Sequence, residues 1–246
     1  MTETEALIIN EISHQLSDKP IVKFVEENQL NSNNKSYVSV LIRNYLSIKT
    51  IYNESVLIDY KINLKVIPVS ENYICYEALS FPFGSLYNLV FEEWETEDEF
   101  LEAELKKKLK NIFVLIPVIK IKNRDRYNDF KDWKIGKISV WKPNKDELME
   151  IGKEWIKAKD IVINGIKITR EPFGKGYRMK NNLLKQSCSK YIHLRPHAIN
   201  SFDYDKPYKK YTQGKIEVTK QSFWLNKKYI NHLLEKYKWK QNSKEE

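Results

Sequence analysis

Apolar runs of strand length alternate with segments of helical periodicity, and this alternation limits the folds that are open to the chain. The strand-like runs are SVLIDY (55–60), INLKVIPV (62–69), YICYEALSF (73–81) and NIFVLIPVIKIK (111–122). The helix-like segments include TETEALIINEISHQL (2–16), SYVSVLIRNYLS (36–47) and KDELMEIGKEWIKAKDIV (145–162). Because the two kinds of segment are mixed along the chain, we predict an α/β or α+β fold around a central mixed β-sheet.

The C-terminal third predicts further strands and one more helix. IKITREPF and YRMKN flank GKG as two strands of a hairpin, YIHLRPH is a strand with its exit loop, and QSFWLNKKYINHLLEKY (221–237) is a C-terminal helix. There is no internal repeat and no Gly-, Ser- or Pro-rich linker. We therefore predict a single domain over residues 1–246, with residues 1–34 as an N-terminal helical extension.

The charge of the chain favours a polyanionic partner. Lys and Arg outnumber Asp and Glu by 42 to 33, a net charge of +9, and basic residues between 175 and 240 are interleaved with aromatic ones. No apolar run approaches the about 20 residues of a membrane span, and Cys75 and Cys188 lack metal or disulfide spacing. We expect a cytoplasmic protein with no membrane partner, and nucleic acid is the candidate ligand.

INLKVIPV resembles the strand of a metal-dependent nuclease in which one residue has changed. Alternation along a strand places Asn63 and Lys65 on one face, where a nuclease would hold a metal-binding acid and a lysine near the scissile phosphate. An amide lacks the charge that a hard divalent cation prefers. Asp59 and Glu54 could supply carboxylates from shifted positions; alternatively, Lys65 is an ordinary lysine on a strand edge.

YIHLRPH ends in Arg195, Pro196 and His197, at the predicted exit of a strand. Arginine can hydrogen bond to guanine O6 and N7 together, and the proline that follows stiffens the backbone presenting it. The alternative is a surface salt bridge. His193 and His197 share no helical face, and no Cys or Glu completes a set with them, so we predict no metal site there.

TKQSFWLNKKYI carries further candidate DNA contacts. It places Lys220, Trp224, Lys227 and Lys228 at the start of the predicted C-terminal helix, where backbone N–H groups also favour phosphate. Trp224 could contact a groove or belong to the core.

These segments together resemble the MutH family, which comprises a mismatch-repair nicking endonuclease and GATC-cutting type II restriction enzymes. The family's strand motif VELKTIPV is similar to INLKVIPV, and KLKNIFVLIPV, the turn at Trp141-Lys142-Pro143, HLRPHAIN and TKQSFWLNKKYI follow in the family's order. The resemblance implies a type II restriction endonuclease fold, with helices flanking the sheet and a DNA-binding cleft.

The resemblance implies that the DNA-contacting positions are preserved. Arg195 and Pro196 match the recognition-loop residues that contact GATC, Lys35 matches a DNA-contacting lysine, and Trp224 matches an aromatic residue near the site. The expected partner is double-stranded DNA containing GATC.

The cutting positions are not preserved. The family's helix glutamate falls on Arg43, its strand glutamate falls on Asn63, and its upstream aspartate has no counterpart at the usual spacing, so that Lys65 is a remnant. In this respect the chain is similar to the non-catalytic C-terminal effector half of the restriction enzymes. We predict a non-cleaving recognition unit with no cofactor, in which Arg43 lies near DNA phosphate.

Two alternatives to this prediction stay open. In the first, the protein is an active Mg²⁺-dependent endonuclease that uses Asp59 and Glu54. In the second, the chain is one subunit or a fragment that depends on a catalytic MutH-like partner.

Overall fold

The computed structural model describes residues 1–28, 37–50, 53–81, 85–120, 132–174, 176–200, 202–205 and 218–238. The helices are α1 (Glu3–Leu16), α2 (Ile21–Asn28), α3 (Tyr37–Lys49), α4 (Glu54–Asp59), α5 (Leu86–Phe91), α6 (Glu104–Leu109), α7 (Lys145–Ile163) and α8 (Lys227–Lys236). The strands are β1 (Ile62–Val69), β2 (Leu79–Phe81), β3 (Ile112–Ile119), β4 (Lys134–Ile135), β5 (Ser139–Trp141), β6 (Ile168–Phe173), β7 (Gly176–Asn181), β8 (Ile192–Pro196) and β9 (Gln221–Leu225).

The chain forms two compact units, and each is assembled from separate segments. Unit 1 contains Met1–Glu77, Asn111–Lys142 and Ile230–Glu246, and unit 2 contains Ala78–Lys110 and Pro143–Tyr229. Within the described residues, no helix combines the length and apolarity needed to cross a membrane.

Unit 1 is built on a mixed sheet with β3 at its centre. β1 pairs with β3 in parallel, with Asn63 opposite Phe113 and Lys65 opposite Leu115, whereas β4 and β5 pair with β3 in antiparallel orientation. Every residue of β3 is buried, as expected for a strand covered on both faces. The predicted mixed sheet flanked by helices is confirmed.

Helices α1, α2 and α3 cover one face of this sheet. Their apolar side chains share a buried cluster with alternate residues of the strands, including Ile62 and Leu64 of β1 and Val114 and Ile116 of β3. Asn63 and Lys65 have the opposite parity on β1 and are half-buried. They therefore lie on the face turned away from the helical layer.

Unit 2 contains an antiparallel sheet in the order β2-β9-β8 and a separate hairpin of β6 and β7. His193 pairs with Trp224 and Arg195 with Ser222 across β8 and β9. The inner face of this pair is apolar, with Ile192 and Leu194 both buried.

Two predicted elements have a different structure, and a third is shorter than predicted, since only Leu79–Phe81 of the predicted strand 73–81 forms a strand, β2. Residues 54–59 form helix α4 rather than a strand, because the Asn53 side chain caps its first turn by accepting a hydrogen bond from Val56 N at 3.2 Å. QSFWL forms strand β9 rather than the start of the C-terminal helix, since its backbone pairs with both β8 and β2. Trp224 consequently lies in strand β9, and Lys220 lies directly before it. Helix α8 begins only at Lys227.

Candidate nucleic-acid interface

The face of β1 that is turned away from the helical layer carries the residues that the sequence singled out as the remains of a nuclease motif. Asn63 and Lys65 are two residues apart on the same face, as predicted from strand alternation. Asp59, on α4, is exposed at the last residue of that helix. This face offers the amide of Asn63 where a metal-dependent nuclease would hold a carboxylate, and it keeps the lysine that such a strand also carries.

Arg43 and Glu54 form an ion pair between α3 and α4. Arg43 Nη1 lies 3.6 Å from Glu54 Oε1, with the side chains 51% and 80% exposed. Exposed pairs of this kind contribute about 0–1 kcal/mol, so the contact adds little to the stability of the fold. Glu54 therefore lies within ion-pair distance of a cation.

The donor set at these positions does not fit Mg²⁺. Mg²⁺ is usually bound through one or two carboxylates together with waters and substrate phosphates, whereas Arg43 is a cation and Asn63 is a neutral amide. Within the described ranges, no three His, Cys, Asp or Glu side chains come together as a metal-binding group.

Arg195, His197 and Trp224 come together at the end of β8. The guanidinium carbon of Arg195 lies 4.9 Å from the centroid of the Trp224 ring, and the His197 ring meets the same indole at 5.7 Å and 60°. Arg195 and His197 are exposed and Trp224 is half-buried. The indole thus supports a cation that faces solvent.

The backbone around Pro196 is fixed by the sheet. Pro196, the last residue of β8, pairs with Gln221, and His197 N donates to Lys220 O at 2.8 Å to continue the ladder. A locked proline φ follows directly after Arg195. The three predicted loop residues therefore extend from a paired strand rather than from an irregular loop.

Glu154 of α7 anchors the beginning of the same strand. Its carboxylate accepts hydrogen bonds from the backbone N–H groups of Lys190 at 2.6 Å, Tyr191 at 2.9 Å and Ile192 at 2.8 Å. Hydrogen bonds to a charged acceptor are stronger than neutral ones. The sequence offered no signal for this role, because the partners lie 36 to 38 residues away.

His193 is buried beside this anchor and is held by an amide. Its Nδ1 lies 2.5 Å from Asn226 Oδ1, while Asn226 Nδ2 donates to Ser189 O at 2.8 Å. Burial lowers the pKa of His193, with a smaller contribution from the charge of Arg195. His193 is a structural residue of the sheet.

Lys220 is paired with an acid on the loop that follows Arg195. Its Nζ lies 2.7 Å from Asp203 Oδ1, and the other carboxylate oxygen of Asp203 accepts from Ile199 N at 3.0 Å. This hydrogen bond raises the pKa of Lys220 and lowers that of Asp203. A phosphate would have to compete with Asp203 for this lysine.

The other predicted DNA-binding residues are positioned as follows. Lys227 is the first residue of α8 and is half-buried, and Lys228 beside it is exposed. Lys35 lies outside the described residues. Within unit 2 the structure brings together Arg195, Pro196, His197, Lys220 and Trp224, and within unit 1 it brings together Arg43 and Glu54.

Comparison with known proteins agrees with the resemblance in the sequence. Residues 53–154 match the family model described as DNA mismatch repair enzyme MutH. The chain is also similar to the type II restriction enzyme Sau3AI of Staphylococcus aureus, with 27% identity over 190 residues that cover 70% of this chain and 38% of the enzyme. The match thus spans about two fifths of the length of that relative.

Proposed function

Because residues 53–154 match the MutH family model and the chain is similar to Sau3AI, we propose that it binds double-stranded DNA at a GATC-type site and does not cut the DNA by itself. In this proposal it is the specificity or effector unit of a restriction or related system, and a catalytic MutH-like subunit or domain is a candidate partner. The observation that carries the proposal is the exposed Arg195 guanidinium stacked against Trp224 at a strand end.

Arg195 would recognise guanine. Its planar group presents N–H donors that match guanine O6 and N7 in the major groove. Contact with the indole limits the rotamers of the long side chain, so less conformational entropy is lost on binding. Pro196 and His197 would contact neighbouring bases from the same fixed backbone.

Lys35, Arg43, Lys65, Lys220 and Lys227 would bind phosphate. Such contacts position a protein on the duplex without selecting a sequence, and they make affinity depend on salt. Lys220 would exchange Asp203 for phosphate, which couples DNA binding to the loop that Asp203 holds.

The absence of cleavage is supported by the residue types at the cutting positions. Asn63 and Arg43 stand where the MutH family has carboxylates, and Arg43 pairs with Glu54. Loss of negative charge at both positions would weaken binding of a hard divalent cation.

The test compares duplexes with and without GATC at two salt concentrations. We expect tighter binding to a GATC duplex than to a scrambled one, and a loss of affinity for both duplexes as salt rises, because bound lysines and arginines release counterions. Fluorescence anisotropy with labelled duplexes measures both effects. Equal affinity for the two duplexes, or binding that does not change with salt, would contradict the proposal.

A nicking assay separates this proposal from an active enzyme. Purified protein incubated with GATC-containing plasmid and Mg²⁺ or Mn²⁺ should leave the plasmid supercoiled. Cleavage that disappears in an Asp59→Ala or Glu54→Ala variant would instead assign those carboxylates to catalysis and overturn the non-cleaving proposal.

A further inference from the structure

The β6–β7 hairpin projects exposed aromatic and basic side chains on both of its faces. The two strands pair from Ile168 with Asn181 to Phe173 with Gly176, and Lys167 and Asn182 close the base with hydrogen bonds in both directions. Near the tip, Phe173 is 63% exposed and Tyr177 is 64% exposed. Both rings are therefore in contact with solvent rather than packed into the core.

The charge of the hairpin is strongly positive. Between Lys167 and Lys185 the sequence has six basic residues and a single acid, Glu171, which gives a net charge of +5. The whole chain carries +9. Excess positive charge is therefore concentrated on this hairpin and its flanks, which favours a polyanionic partner.

Each face of the hairpin holds an arginine against an aromatic ring. The guanidinium carbon of Arg170 lies 4.0 Å from the centroid of Tyr177, and that of Arg178 lies 5.1 Å from the centroid of Phe173. Arg170 pairs with Met179 and Arg178 with Glu171, so their parity puts the two arginines on opposite faces. The same type of contact supports Arg195 on Trp224.

We propose that the β6–β7 hairpin is a second DNA-contacting element, which lies in a groove of the duplex and contacts phosphates with Arg170 on one face and with Arg178 and Lys180 on the other. A two-stranded ribbon fits the major groove, which is about 12 Å wide. Cations on both faces match the phosphates that line both sides of a groove. This inference rests on the proposed function and adds a contact that does not depend on base sequence.

Glu171 restrains the cations of one face. Its carboxylate lies 2.5 Å from Lys180 Nζ and 3.5 Å from Arg178 Nη2. These contacts, chiefly the hydrogen bond from Lys180, lower the pKa of Glu171. A DNA phosphate must displace this carboxylate, so its removal should strengthen binding.

Glu150 on α7 provides a matched control. Its carboxylate pairs with Lys153 Nζ at 2.5 Å, its side chain is 41% exposed, and its pKa is lowered mainly by that hydrogen bond. Glu150→Gln changes the net charge by the same amount as Glu171→Gln, but on a helix. A general effect of charge would appear equally in the two variants.

The experiment measures anisotropy with GATC and scrambled duplexes across a salt series. Glu171→Gln should bind both duplexes about threefold more tightly, whereas Glu150→Gln should stay close to wild type. The double variant Arg170→Ala/Arg178→Ala should bind both more weakly by similar factors, and the slope of log K against log salt should fall by about 2. Circular dichroism checks that each variant is folded.

The outcomes separate this inference from the function on which it rests. If wild type binds duplex with a GATC preference and the three hairpin substitutions change neither affinity nor salt slope, the hairpin does not contact DNA. An equal gain in Glu171→Gln and Glu150→Gln would also overturn the inference. If wild type does not bind duplex, the proposed function itself fails. Polyglutamate and unlabelled duplex are also compared as competitors at equal concentrations of negative charge. If polyglutamate competes better than the duplex, the hairpin binds an acidic protein instead.

Discussion

Replacing Arg195 with alanine should remove most of the preference for GATC over scrambled duplex, a loss of about 1–3 kcal/mol in discrimination. Trp224 would remain in the sheet, but the guanidinium that it supports would be gone. Affinity for the scrambled duplex should fall far less, because only one of several cations has been removed. Parallel anisotropy titrations of both duplexes give the ratio directly.

Two control variants separate the planar group of Arg195 from positive charge in general. Arg195→Lys keeps the charge but loses the planar pair of donors, so it should retain most non-specific affinity and lose much of the discrimination. Lys153→Ala removes an exposed cation from α7 and should leave the ratio unchanged. If Arg195→Ala lowered binding to both duplexes by the same factor, Arg195 would be a phosphate contact and guanine recognition would lie elsewhere.

Replacing Glu154 with alanine should lower the free energy of unfolding by about 3 kcal/mol. Three backbone N–H groups lose a charged acceptor at the start of β8, and each unsatisfied or newly hydrated donor costs about 1 kcal/mol or more. Urea denaturation followed by fluorescence measures the change. Because Arg195 lies on the same strand, the preference of the folded variant for GATC over scrambled duplex should also fall when binding is measured without urea.

Glu154→Gln is the matched variant. Its remaining carbonyl oxygen can keep the Tyr191 and Ile192 bonds that one carboxylate oxygen now accepts, so the destabilisation should be less than half that of alanine. A glutamine variant as unstable as alanine would mean that charge, rather than the number of acceptors, holds the strand. An unchanged alanine variant would contradict the anchoring role.

The sequence predicted the elements in which the local pattern of apolar residues matches the burial of those residues in the fold. β1 and β3 form where the sequence has eight-residue apolar runs, and the hairpin of β6 and β7 forms around GKG. Along α7, Ile151 and Trp155 are buried, whereas Ile156 is 44% exposed. One helical face is too narrow to bury neighbouring residues equally.

The incorrect predictions arose where short apolar runs fit two structures. SVLIDY has the composition of a strand, but the cap from Asn53 and the left-handed Lys61, at φ 53°, enclose one short helix. QSFWL joins a helical pattern without a break in composition, and only its pairing with β8 and β2 makes it a strand.

The residues of the candidate site remain a prediction, and the side chains that support them could not be predicted from the sequence. Arg195, Pro196 and Trp224 were identified by the resemblance to MutH, and the structure shows Arg195 and Trp224 in contact. The acids that organise the site, Glu154 and Asp203, had no local signature. Their partners are distant in sequence or lie in loops, and such contacts become visible only once the strands are assembled.

The interleaving of the two units affects the order in which they can fold during synthesis. Unit 1 needs β3, which follows the first segment of unit 2, and it also needs α8, where Leu234 O accepts a hydrogen bond from Ser139 Oγ and Asn231 Oδ1 accepts one from Cys75 N. Unit 2 needs β9, which pairs with β2 more than 130 residues earlier in the chain. Neither unit can be completed before the other has begun to emerge from the ribosome, so we expect the nascent chain to expose apolar strands until residues beyond 230 have emerged, and to depend on chaperones more than a chain whose domains follow one another.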